Sequence, residues 1–283
     1  MKHCLIMTAY KDVKSINHFI DHTPSDWGIY IHLDKKSSIS IDEIRERAKV
    51  IKKYKIYWGG WEHLKAMMDM LTAASDDGNS YYYYHIVSGQ DYFASSPRVF
   101  DSIVGENHNN YIGYHQFPGA DWWWEGGYKI FKYRTLSSIG DIRFGIMRGA
   151  NKLLYLFQKY SRTTKKLPKL NLFGGAVYCS LHKDFVCWLT HNAECLKELD
   201  NLKHTTCGEE VYFQTMIMNS PFKDSVINNC LRYVDWSVDP APKYLNEEDY
   251  VKIINSKNLF CRKIDSKISG GLIKSLDKLF FNS

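Results

Sequence analysis

Almost wholly apolar runs alternate along the first third of the chain with segments whose apolar residues recur three and four positions apart. The runs HCLIMTAY (3–10), WGIYIHLD (27–34), KIYW (55–58) and YYYYHIVSGQD (81–91) read as buried strands. Between them, Ile16, Phe19 and Ile20 mark one helix, and residues 41–53, rich in Arg and Lys, read as another. Leu64, Met67, Met68 and Leu71 give residues 61–74 helical spacing. This alternation predicts βαβ units, hence an α/β fold with a mostly parallel central sheet flanked by helices. In such a sheet the ligand sits beyond the carboxyl ends of the strands. Those ends are Tyr10, His32 to Lys35, Trp58 to Gly60, and Ser88 to Asp91.

The pattern then changes. Residues 108–135 are aromatic and irregular, with Trp122, Trp123, Trp124 and Tyr128. From Arg143 to Lys169 the chain carries eight Lys or Arg and no acid, interleaved with Ile146, Leu153, Leu154, Leu156 and Phe157. That composition suits a solvated helix face or a helix lying on an anionic membrane. LFGGAVYCSL (172–181) and VINNCLRYVDW (226–236) read as strands, and residues 209–220 and 246–256 as helices. The tail at 268–281 lines up Leu272, Ile273, Leu276, Leu279 and Phe280, a second candidate for membrane contact. No repeat or linker divides the chain, so residues 1–265 are read as one domain and 266–283 as an amphipathic tail.

Composition narrows the function classes. With 283 residues, 45% apolar and 24% charged, the chain is neither disordered nor fibrous. Its 37 basic against 31 acidic residues give a formal charge of +6, which suits an anionic ligand and is too small to imply nucleic acid. The seven cysteines form no CxxC pair and no zinc spacing, so free thiols and no metal staple are expected. The first apolar run is too short for a signal peptide and no run reaches transmembrane length, which together predict a cytoplasmic protein. There is no DxD, P-loop, GxGxxG, GxSxG or HExxH.

Three constellations could carry chemistry. The pair Glu209–Glu210 opens a helix after HTTCG, where a carboxylate suits either a general base or the helix dipole. Arg262 and Lys263 in FCRKID suit either a diphosphate or an ordinary surface, and Lys243 adds a cation on a proline-rich loop. Asp91 of SGQD suits a ligand or a loop anchor, and WGGW (58–61) and Gly174–Gly175 permit close backbone approach.

The series IHLDKK, WGGW, SGQDYF, LFGGAVYCSL, GEEVYFQT with NSPF, NNCLRYVDW and LFCRKID occurs in this order over residues 3–265. It resembles the core-2/I-branching β-1,6-N-acetylglucosaminyltransferase family, and looks closest to its peptide O-xylosyltransferase branch. The resemblance implies a GT-A-like nucleotide-diphospho-sugar transferase fold, an inverting mechanism, and a UDP-sugar donor with neither metal nor cofactor. It implies Glu210 as catalytic base and Lys263, with Arg262 and Lys243, at the donor diphosphate. Asp34 and Asp91, with Tyr10 beside them, would serve the nucleotide. Glu125, Lys132 and Arg134, with Trp124 and its neighbours, are candidates for the acceptor. Gly208 and Phe93 stand where the family often has Pro. Unlike the secretory, membrane-anchored animal members, this chain begins at the first strand, so a bacterial cytosolic version is expected. GlcNAc is the first donor sugar to test and xylose the second. A glycan or lipid-linked acceptor fits, and a non-catalytic sugar-binding module on the same fold is the alternative.

Overall fold

The computed structural model describes residues 1–105, 107–117, 119, 127–165, 169–238 and 241–281. In chain order its strands are β1 (His3–Ala9), β2 (Gly28–Leu33), β3 (Lys49–Ile51), β4 (Tyr83–Ser88), β5 (Asp91–Phe93), β6 (Asn110–Tyr111), β7 (His115–Gln116), β8 (Phe173–Gly174), β9 (Ser180–His182), β10 (Val226–Ile227), β11 (Arg232–Val234) and β12 (Phe260–Arg262). Its helices are α1 (Val13–Asp21), α2 (Trp61–Ser75), α3 (Phe100–Val104), α4 (Tyr128–Lys132), α5 (Gly145–Tyr160), α6 (Lys183–His191), α7 (Ala193–Asn201), α8 (Tyr212–Met218), α9 (Tyr250–Asn255) and α10 (Gly270–Phe280).

Every residue of β1, β2 and β4 is buried, as apolar runs covered on both faces require. Their side chains alternate between two cores. Leu5, Met7 and Ala9 of β1 join Phe19 of α1 and Leu276 of α10, whereas Cys4 and Ile6 join Met67 of α2 and Phe185 of α6. The central sheet has the order β10-β6-β9-β4-β1-β2-β3. Pairing is parallel among β1, β2, β3 and β4, and β9 runs against both β4 and β6. This is the mostly parallel, helix-covered α/β sheet that the pattern predicts, in a GT-A-like arrangement. A second sheet, β11-β12-β5, sets Arg262 directly across from Asp91. Arg232 ties the two sheets together: its guanidinium donates to Ser180 Oγ at 2.9 Å and to the carbonyls of Ile86 and Cys179 at 3.1 and 2.6 Å.

Several local expectations are corrected. Residues 41–53 are not a helix; they hold a 3-10 turn at Ile41–Glu43 and then β3. The two arginines of the segment serve α1 instead. Arg45 grips Asp21 through two nitrogens, and Arg47 donates to the carbonyls of Ile20, Thr23 and Pro24. KIYW (55–58) is irregular, because β3 has already taken the sheet edge and the Ile56 N–H donates to Asp34. The run 172–181 splits into β8 and β9. The run 226–236 splits into β10 and β11, which belong to different sheets, with Leu231 at φ +55° between them. Most of the apolar stripe of the tail is part of the core: Leu272, Ile273, Leu276 and Phe280 are buried there, and Leu279 is exposed. Among the described residues no helix is long and apolar enough to cross a membrane.

Candidate active site

The Glu209–Glu210 pair sits on a 3-10 turn, Gly208–Glu210, that leads into α8. Two glycine pairs pack against this turn. Cys207 N–H donates to Gly59 O at 2.9 Å, and a Cβ on Gly59, whose φ is +65°, would lie 2.8 Å from Thr206 Cγ2. Gly175 N–H donates to Glu210 O at 2.8 Å, and a Cβ on Gly175 would lie 2.1 Å from Gly113 O. Both motifs therefore act by allowing close backbone approach.

The two carboxylates differ. Glu209 is buried, with one oxygen 3.3 Å from His63 Nδ1 and the other without a hydrogen-bond partner among the described residues. His63 Nε2 is in turn 3.2 Å from Thr8 Oγ1, near the end of β1. Glu210 is walled by protein yet keeps part of its surface open. Its pKa is pushed up to about 8, first by burial and then by the charge of Glu209. A carboxylate poised near neutrality and reachable from outside can accept a proton from a hydroxyl.

Cations gather at the ends of β1 and β12. Lys263 is half-buried; burial and the neighbouring Arg262 lower its pKa, a cost that an anion bound there would relieve. Its ammonium lies 5.9 Å from the centre of the Tyr244 ring. Lys11 reaches the same tyrosine, donating to Tyr244 Oη at 3.0 Å. Arg262 is stacked on Tyr178, 3.7 Å from its ring centre, with Nε 3.6 Å from Asp91 Oδ1. Lys243 lies close by along the backbone, since Lys263 N–H donates to its carbonyl. Its ammonium, however, is held between the two oxygens of fully buried Asp249 at 3.0 and 2.9 Å. Lys11 is a further cation beside Lys263; it too has a carboxylate partner, Asp265, but at a looser 3.7 Å.

Asp34, at the end of β2, is buried and accepts from the N–H groups of Lys36 at 2.9 Å and Ile56 at 3.2 Å. Tyr10 is exposed at the end of β1, and its carbonyl accepts from Ser37 Oγ at 2.7 Å. Asp91 is buried; one of its oxygens closes the turn onto Ser88 N–H and Oγ, and the other faces Arg262. Of the acceptor candidates, Trp124 and Glu125 lie outside the described residues, and so do Trp122 and Trp123. Arg134 is exposed, with its backbone hydrogen-bonded in both directions to the Gln158 amide. Tyr178, which also feels the Glu209 charge, links the carboxylate and cation groups.

Sequence reasoning misses Lys11, His63, Tyr178 and Tyr244. Lys11 directly follows the end of β1 and His63 lies in the first turn of α2, places where a parallel sheet exposes ligands. The two tyrosines carry no local signal. Among the described residues, two groups present three metal-ligand atoms within 4.8 Å of one another: His18, His22 and Asp277, and His108, His182 and Asp184. The first lies at the last turn of α1. The second adjoins the start of β4, the opposite end from Ser88.

No curated protein matches the chain closely enough to count as a relative. The family model of the core-2/I-branching enzyme matches residues 4–260, a span that takes in β1, both glycine pairs, the Glu209–Glu210 turn and the start of β12. On that match the chain belongs to the core-2/I-branching enzyme family, a family of glycosyltransferases.

Proposed function

We propose that this protein is an inverting, metal-independent glycosyltransferase that moves a sugar from a UDP-sugar to a hydroxyl of a glycan or lipid-linked acceptor. UDP-GlcNAc is the first donor to test and UDP-xylose the alternative. Glu210 takes the proton of the acceptor hydroxyl as that oxygen attacks the anomeric carbon. The bond from that carbon to the diphosphate breaks, its electrons leave with UDP, and one in-line displacement inverts the configuration. Lys263, with Lys11 beside it, faces the leaving diphosphate and supplies the positive charge that a divalent ion would otherwise bring. Arg262, clamped by Asp91 and Tyr178, reinforces that field from below, and Asp34 and Tyr10 flank the nucleotide.

The observation that carries this reading is the Glu210 carboxyl: partly open, set beside a second carboxylate, and raised to about 8. The test is UDP release from UDP-GlcNAc and UDP-xylose, with a panel of aryl glycosides as acceptors and EDTA present. Turnover is expected in EDTA, and Glu210→Gln should lower it by roughly three orders of magnitude or more. Undiminished turnover in Glu210→Gln, or activity that appears only with an added divalent ion, would overturn the assignment.

A further inference from the structure

Among the described residues, nothing covers an apolar stripe along helix α5. Ile146, Leu153, Phe157 and Tyr160 are exposed, Ile146 at 90% and Tyr160 at 82%, and Phe144, just before the helix, is exposed beside Arg143. From 146 onward they recur at seven, four and three positions, which places them on one narrow side of the helix. The helix is attached to the molecule by another face. Asn151 accepts from Leu136 N–H at 3.0 Å, Gln158 is buried against Arg134, and Tyr155 meets Tyr133 edge to face at 5.0 Å. Arg148, Lys152 and Lys159 form a third, exposed face, and no acid occurs from Arg143 to Lys165. Single exposed apolar residues are ordinary, but a row of them with cations on one side and no acid along the helix is not.

We infer that this stripe lies in the plane of an anionic lipid bilayer, with Phe157, Tyr160, Leu153 and Ile146 among the acyl chains and Arg148, Lys152 and Lys159 against the headgroups. A second copy of the chain is a poorer occupant, since pairing two stripes would bring two rows of cations together without an acid to meet them. The position of the helix gives the contact a use. The segment leading into α5 packs on both loops that carry the candidate active site. Arg143 lies 5.2 Å from the Trp58 ring, Thr135 N–H donates to His204 O at 2.8 Å, and Thr206 Oγ1 donates to Thr135 Oγ1 at 2.9 Å. Resting on the transferase reading, the inference narrows the acceptor to a lipid-linked glycan held at the bilayer surface.

The test is sedimentation of the full chain with vesicles of phosphatidylcholine alone or mixed with phosphatidylglycerol. Two variants accompany it: Arg148→Glu with Lys152→Glu and Lys159→Glu, and Leu153→Gln with Phe157→Gln. All five positions are exposed or only lightly packed, and melting temperature checks that both variants fold. The wild type should bind only the anionic vesicles, and the charge variant should bind them roughly a hundredfold more weakly. The apolar variant should also lose binding. Equal binding to both vesicle types, or anionic binding unchanged in either variant, would overturn the inference. So would a dimer in solution that the apolar variant dissolves while vesicles capture nothing. Vesicle binding does not depend on turnover, so failure of the transferase reading would show separately, as absent UDP release.

Discussion

At the scale of single residues, the pair Glu209–Glu210 ties chemistry to pH. With Glu210 raised to about 8, kcat/KM should climb about tenfold per pH unit below that value and level off above it, because only the ionised carboxyl accepts a proton. Glu209→Gln removes the neighbouring charge, so the rise should move to lower pH. A pH–rate profile of the two proteins checks this, and an unmoved limb would contradict it. Stability has the opposite sense. Folded Glu210 holds its proton well above the ordinary 4.5, so its contribution is full below about 4.5 and is lost as pH rises toward about 8. Glu210→Gln should therefore melt higher than the wild type at pH 8, with the gap closing under acid conditions. The candidate base stands out in the sequence because the GEE motif that carries it is local. His63, which holds Glu209, does not, because the two meet only through the packing of α2 on the turn.

At the scale of elements, what reads well is what is buried on both sides. β1, β2 and β4 stand out as apolar runs because both faces of the sheet are covered, and α2 because its stripe faces only one core. What misleads is an element whose side chains serve a neighbour. Residues 41–53 have helical composition, yet their arginines hold the end of α1, and the Ile44 and Ala48 side chains are drawn into the core from a segment of successive turns. The amphipathic pattern of the tail falls on α10, but amphipathicity alone does not say whether the apolar side meets lipid or protein. Here it meets the sheet. Leu276→Ala, fully buried, should cost about 2–5 kcal/mol in denaturant unfolding, within a single cooperative transition. A change below about 0.5 kcal/mol would mean that α10 is not anchored in the core.

At the scale of the whole molecule, the parallel sheet brings the ends of β1, β2 and β4 to one rim, and the second sheet delivers Arg262 and Lys263 to the same place. That convergence is the basis for proposing that residues scattered from Tyr10 to Lys263 serve one site. It is also why the ordered motif series reads the family from sequence while the pairing of Lys243 with Asp249, and of Lys11 with Tyr244, does not show there. Family membership gives glycosyl transfer; the proposal of a metal-independent donor site rests on the cations of this rim, which would meet the diphosphate of any UDP-sugar alike. The central claim is therefore tested most directly by calorimetric titration with UDP-GlcNAc in EDTA, for the wild type, Glu210→Gln and Lys263→Ala. The account predicts binding without metal, unchanged affinity in Glu210→Gln, and affinity about tenfold or more weaker in Lys263→Ala. Binding that needs a divalent ion, or equal affinity in Lys263→Ala, would contradict it.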